Sequence, residues 1–253
     1  MPERSHSKDD RTSQKLADQY TEIAQLTGAL AHEIKNPLSV IRLNMELLAE
    51  DLAGSDSPRD RRILKKVDIV QRECQRLQDL LNDFLNFAKA GRLKLEPSDL
   101  NQQIKQVLDF FRPKAVESQI EVIDYLASDL PTVLLDRESF HGALLNLVLN
   151  AQQAMPHGGQ LVVRTYGTKD GVALDLIDTG CGMDEGTRAQ VFHAFFSTKP
   201  GGSGLGLPTA RKVIEAHGGE ISLQSEPGRG TQFTITLPVP ARLPSRTENR
   251  QLR

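Results

Sequence analysis

Three groups of residues in this chain carry side chains or backbone suited to chemistry. His32 and Glu33 stand together in ALAHEIKNPLSV, residues 29–40, just ahead of Asn36 and Pro37. A neutral imidazole is a competent nucleophile, and histidine titrates near enough to neutral pH for that form to be populated. Glu33 beside it can orient the ring and take up a proton. Asn36, four residues on, shares the helix face of His32. Pro37 has no N–H for the carbonyl of Glu33 and crowds it, so a helix here is expected to bend where the imidazole sits. The second group is Asn146 and Asn150, one turn apart among leucine, valine and alanine. Carboxamides on such a helix need partners: they are either capped or solvated, or their oxygens meet a magnesium ion and the phosphates it carries. The third group is a pair of glycine segments, DTGCGMD (178–184) and GGSGLGL (201–207). Glycine lets backbone approach a ligand closely, and the N–H groups of a following helix favour phosphate, although each segment alone also suits a tight turn.

Several familiar chemistries are excluded. Neither glycine segment fits GxxxxGK[ST] or the strand–GxGxxG–acid arrangement of a dinucleotide fold. HEIKN departs from the zinc-protease pattern HExxH because Asn36 replaces the second histidine. Cys74 and Cys181 are far apart and build neither a disulfide framework nor a zinc site, so both read as reduced and cytosolic. With 38% hydrophobic and 25% charged residues over 253 positions, and a net charge of −2, the composition is that of an ordinary globular protein. Acidic and basic residues interleave, so no nucleic-acid face and no anionic-membrane patch is expected. No apolar run reaches the roughly 20 residues of a membrane span, and the start lacks a signal peptide's apolar core, so no membrane contact from this chain and a cytoplasmic location are expected.

The elements that must position these groups change character once, near LEPSDL (95–100). Upstream, Ile23, Leu26, Leu30, Ile34, Ile41, Leu48 and Leu52 keep helical steps. Ile63, Val67, Val70, Cys74, Leu77, Leu81, Phe84 and Ala88 follow with unbroken four-three spacing, the seam of a packed helix. AGSDSPRD connects them, with Pro58 suited to a first helical turn. This is an antiparallel helical hairpin over residues 13–92. Two helices cannot cover their own apolar stripes, so two copies are expected to form a four-helix bundle.

Downstream, over 97–239, a helix near Leu100 to Val116 precedes strands at QIEVIDYL and TVLLD. Asp136 caps the long apolar helix RESFHGALLNLVLNAQQAM. QLVVRTYG and GVALDLID flank TKD as a hairpin, and GEISLQSE and GTQFTITL flank PGRG as another, with a helix starting near Leu207. The expected architecture is a two-layer α/β sandwich with a mixed sheet. Residues 1–12 and 240–253 read as disordered tails.

NLVLNAQQA, DTGCGM, FHAFFSTK, GGSGLGL and GTQF stand in the order of the N, G1, F, G2 and adenine-side boxes of the GHKL-type ATP-binding domain of bacterial sensor histidine kinases, and AHEIKNPL resembles their phospho-acceptor box. The resemblance spans about residues 20–238 and is strongest to nitrogen-regulation-like sensors. It implies ATP and Mg²⁺ as cofactors, autophosphorylation of His32 through its Nε2, and transfer to an aspartate of a response regulator receiver domain by a homodimer. Asp178 would accept from the adenine amine, with Thr231 nearby and Gly180 and Gly182 shaping the pocket. Asn150 would hold Mg²⁺ and Asn146 support the phosphate end. Residues 192–206 would form a lid, with Lys199 reaching the phosphates and Gly202, Gly204 and Gly206 as its hinge. Asn36 would position a water for phosphatase activity toward the regulator. Many relatives carry a basic residue after the N box where this chain has Gln152 and Gln153, which leaves Lys199 or Arg188 as the assisting cation. Two rivals remain: a gyrase- or chaperone-like ATPase, disfavoured because Asn146 stands where those enzymes have a glutamate base, and a dimeric ATP-binding module without phosphotransfer.

Overall fold

The computed structural model describes residues 34–54, 57–90, 93–199 and 202–240. His32, Glu33 and both tails lie outside the described residues, as do Pro200 and Gly201. The chain divides into two compact units, Met1–Lys89 and Ala90–Arg253.

The first unit is the expected helical hairpin. Helix α1 is described over 34–51, with Pro37 in its first described turn; the bend expected at His32 and Glu33 lies outside the described residues. Helix α2, Pro58–Lys89, starts with proline in its first turn, and the Ser57 hydroxyl accepts from the Arg59 N–H at 3.2 Å. Between the helices Leu38, Val67 and Cys74 are buried, together with Gln78, whose amide reaches the Ser39 hydroxyl at 3.4 Å. The seam read from sequence is only half covered: Ile34, Ile41, Val70 and Leu77 are exposed, Leu77 by 49%. A pair of helices has one mutual face, and among the described residues the rest of each stripe is left uncovered.

The second unit is a mixed five-stranded sheet with helices packed on one face. Its strands are β2 (Ile120–Leu126), β4 (Gly159–Gly167), β5 (Gly171–Asp178), β6 (Glu220–Glu226) and β7 (Gly230–Pro238), in the order β2-β4-β5-β7-β6. Only β2 and β4 run parallel; the two hairpins are where TKD and PGRG placed them. One feature of the sequence reads differently in the structure. LEPSDL is more than a boundary: β1 (Glu96–Ser98) pairs with β3 (Val133–Leu135) as a separate two-stranded ribbon, so TVLLD does not enter the main sheet.

Helices α3 (Leu100–Glu117), α4 (Arg137–Ala154) and α6 (Gly206–Ala216) supply the second layer, and the short α5 (Glu185–Gln190) lies between the glycine segments. Ile104 and Phe111 of α3, Phe140 and Leu147 of α4, and Ile214 of α6 meet Leu161, Leu174 and Phe233 of the sheet in one core. Each fully buried phenylalanine contributes about 2–3 kcal/mol through area removed from water.

Asp99 and Asp136 cap α3 and α4 by accepting from the N–H groups of Gln102 and Ser139. Asp136 also takes the Lys94 N–H at 2.8 Å, and its own N–H donates to Nε2 of the buried His217 at 3.0 Å. Burial pushes the Asp136 carboxyl up, but the Lys94 and Ser139 donors outweigh it, and its pKa falls below the usual value.

Candidate nucleotide site

The end of the sheet toward the glycine segments carries a polar row on the helix side. In register across four strands stand Leu161, Asp178, Thr231 and Ser225, the last three polar and all nearly inaccessible. Such groups are tolerated only when hydrogen-bonded. Asp178 Oδ1 accepts from the Gly180 N–H at 2.9 Å and the Thr231 N–H at 3.2 Å, and no donor among the described residues reaches Oδ2. Burial raises the Asp178 pKa, opposed in turn by those two N–H groups and by the charge of Lys199.

The loop after β5 is pinned on both sides. The Cys181 N–H donates to the Ala154 carbonyl at the end of α4, and the Gly228 N–H to the Cys181 carbonyl. Gly182 has φ 65° and lies against the Glu226 carbonyl, where a Cβ would collide with backbone. Asp184 then caps α5 by accepting from Thr187 at 2.7 Å.

The opposite wall is α4. Its two carboxamides turn out to have distinct partners. Asn146 donates through Nδ2 to the Gly206 carbonyl at 3.2 Å, fastening α4 to the first turn of α6. Asn150 Oδ1 accepts from the Lys199 ammonium at 2.8 Å, and Gln153 Oε1, three residues on, accepts from the same nitrogen at 2.8 Å. Burial lowers the Lys199 pKa, partly offset by the sulfur of Cys181 and the carboxyl of Asp178. Lys199 is therefore electrostatically in touch with the Asp178 end of the site as well. Arg188, the other cation weighed from the sequence, is exposed on α5 and reaches neither asparagine among the described residues.

Two residues of the stretch expected to be the lid, Phe195 and Gly204, are brought together. Phe195 donates its N–H to the Gly204 carbonyl at 3.0 Å, with Phe195 at φ 67° and Gly204 at φ 66°. Helix α6 begins at Gly206 without a side-chain cap, which leaves its first N–H groups for another acceptor. Of the residues singled out in the sequence, the structure gathers Asp178, Gly180, Gly182 and Thr231 at one side and Asn146, Asn150, Lys199 and Gly206 at the other. Gly202 and Gly204 stand in the segment between. Asn36 is exposed on α1, in the other unit. Sequence reasoning missed Gln153 as a lysine partner and Ser225 altogether; a serine in an alternating strand carries no local signal.

Asn150 and Gln153 offer two neutral, hard oxygens that converge on a positive charge, and a divalent cation suits the same donors. Among the described residues no group of three His, Cys, Asp or Glu side chains could hold a metal. A magnesium ion here would thus draw its remaining ligands from nucleotide oxygens and water. No helix among the described residues is long and apolar enough to cross a membrane.

The profile of the "Histidine kinase-, DNA gyrase B-, and HSP90-like ATPase" family matches residues 135–241, and that of the "His Kinase A (phospho-acceptor) domain" matches residues 22–93. The signal transduction histidine-protein kinase AtoS of Escherichia coli K12 is 30% identical over 224 residues, which is 88% of this chain and 36% of AtoS. Full-length ShkA in complex with AMPPNP superposes with a TM-score of 0.70 at 30% identity, over 85% of this chain and 45% of that one. The mycobacterial sensor histidine kinase MprB gives 0.51 at 32% identity, over 57% of this chain and 97% of that structure. The chain spans well under two thirds of the length of the curated relatives it matches.

Proposed function

Since this chain belongs to the two-component sensor histidine kinases, we propose that it transfers the γ-phosphoryl group of ATP to His32 and then to an aspartate of a response regulator receiver domain. The observation that carries this reading is the convergence of Lys199 on Asn150 and Gln153, opposite the inward-facing Asp178 and Thr231. One end suits an anionic phosphate chain, and the other suits the donor edge of a base.

In this reading Asp178 Oδ2 accepts from the exocyclic amine of adenine. On nucleotide binding the Lys199 ammonium would leave Asn150 Oδ1 for the phosphates, and that oxygen would then hold a magnesium ion, which would neutralise charge on the transferring phosphoryl group. Lys199 bonds the phosphates, taking the place of a basic residue on α4; a cation at position 153 would repel it. The uncapped start of α6 adds N–H donors. His32 Nε2 attacks the γ-phosphorus as the bond to the bridging oxygen of ADP breaks. The imidazolium proton leaves through Nδ1, with Glu33 as its acceptor. Asn36, exposed on α1, positions a water for dephosphorylation of the receiver aspartate. The exposed apolar stripes of α1 and α2 are covered by a second copy of the hairpin.

Incubation with γ-labelled ATP and Mg²⁺ tests the reading. Acid-labile, base-stable label is expected on the wild type and none on His32→Gln. A wild type that binds ATP but takes no label, or that releases phosphate without labelling, would replace this function with a binding module or an ATPase.

A further inference from the structure

Ser225 is nearly inaccessible and saturated. Its Oγ receives the Met183 N–H at 2.9 Å, lies 2.9 Å from the Gly230 carbonyl oxygen, and lies 3.0 Å from Thr231 Oγ1. A hydroxyl has one proton to give and two lone pairs. The Gly230 carbonyl can only accept, so the single Ser225 proton belongs there. The Met183 N–H uses one lone pair, and the contact with Thr231 closes only if the Thr231 hydroxyl is the donor. The reverse assignment would set two lone pairs face to face at 2.9 Å in a buried place, which is unfavourable.

The chain of donors thus runs from Thr231 through Ser225 to Gly230, and the Thr231 proton is directed away from Asp178. In register beside it, Asp178 spends Oδ1 on two backbone N–H groups. What these two side chains can still offer a ligand is lone pairs only, from Asp178 Oδ2 and Thr231 Oγ1.

We infer that Ser225 is a specificity-determining residue, which by fixing Thr231 as an acceptor makes the site select a base edge bearing an N–H₂ group and reject one bearing an oxo group at the same place. This rests on the nucleotide-binding reading given above. Ser225 touches no base itself; it acts through Thr231. An aminopurine nucleotide satisfies both acceptors with its two amine protons. A 6-oxopurine keeps one donor on that edge, its N1–H, for Asp178, but its oxo group faces a lone pair and gains nothing from Thr231 while that hydroxyl is committed to Ser225.

The test compares ATP with inosine triphosphate by equilibrium binding to the full chain. In Ser225→Ala the Thr231 hydroxyl is released and can donate to the oxo group, so the ATP preference is expected to shrink by about tenfold, the weight of one hydrogen bond switched from mismatch to match. Ser225→Thr keeps the hydroxyl and is expected to keep the wild-type ratio. A purely structural role would weaken both nucleotides equally, and an unchanged ratio in Ser225→Ala overturns the inference. Should that variant not fold, Ser225→Cys, nearly isosteric but a weak donor and acceptor, reads the same ratio. Failure of the wild type to bind ATP would instead overturn the functional reading on which this one stands.

Discussion

Asp178 joins two opposing demands in one carboxyl. Burial holds its pKa above the ordinary aspartate value, while its proposed task requires the charged form. The sign follows from linkage: a folded-state pKa above the unfolded one means that the fold is relieved as pH falls through it, whereas affinity for an amine-bearing base is lost over the same interval. Adenosine has no phosphate to titrate and isolates the effect. Its affinity is expected to drop several-fold as the medium is acidified in the wild type, starting at a higher pH than an ordinary aspartate would set, with no corresponding drop in Asp178→Asn. A flat wild-type profile would contradict the assigned role.

At the scale of elements, the proposed lid depends on one glycine far more than on its neighbours. Gly204 has φ 66°, and a Cβ there would stand 2.5 Å from the Phe195 carbonyl carbon and 2.7 Å from both backbone N and O of Phe196. Neither backbone can give way without undoing the Phe195–Gly204 hydrogen bond. At Gly202 the nearest obstacle, also at 2.5 Å, is the Ser197 hydroxyl, which can rotate. Gly206 has only the Asn146 side chain nearby, at 3.7 Å. Gly204→Ala should therefore weaken ATP binding about tenfold or more, through left-handed strain of about 1–2 kcal/mol plus the clash, with Gly202→Ala within about threefold. Equal effects at both positions would show that the lid is not held by this turn. The glycine boxes were legible in sequence because glycine enrichment is a local signal. Which glycine the backbone requires was not, since Gly204 is constrained by Phe195, nine residues earlier. The same limit hid the lysine seat: Lys199 and Gln153 are 46 residues apart, and nothing in either neighbourhood names the other.

For the whole molecule, sequence reasoning reached the two-part architecture because the hydrophobic period changes near LEPSDL, from helical throughout to helices alternating with short strands. Asp136 as a cap and both hairpin turns were readable for the same reason, each resting on chemistry within a few residues. The β1–β3 ribbon was not, because three-residue strands, one containing Pro97, show no alternation. The apolar stripes of the hairpin were readable as stripes, yet which part faces inward is decided by packing: Leu38 and Gln78 are buried while Ile41 and Leu77 are exposed. The remainder gives a test of assembly. In the proposed homodimer, Val70→Glu with Leu77→Glu should raise the dissociation constant by about 100-fold or more, since charges would enter the seam that a second copy is proposed to cover. Sedimentation or light scattering would read this, and an unaltered dimer would place the interface elsewhere.

The clasp between α4 and α6 has a mechanical consequence. Asp136 meets His217 where the first helix starts and the second stops, and Asn146, just past the middle of the first, meets Gly206 where the second starts. Two rods riveted head to tail at separated points resist both sliding and rotation against each other. The wall that carries Asn146 and Asn150 is therefore held from both ends of the later helix, so a ligand settling against it would meet a support set before it arrives.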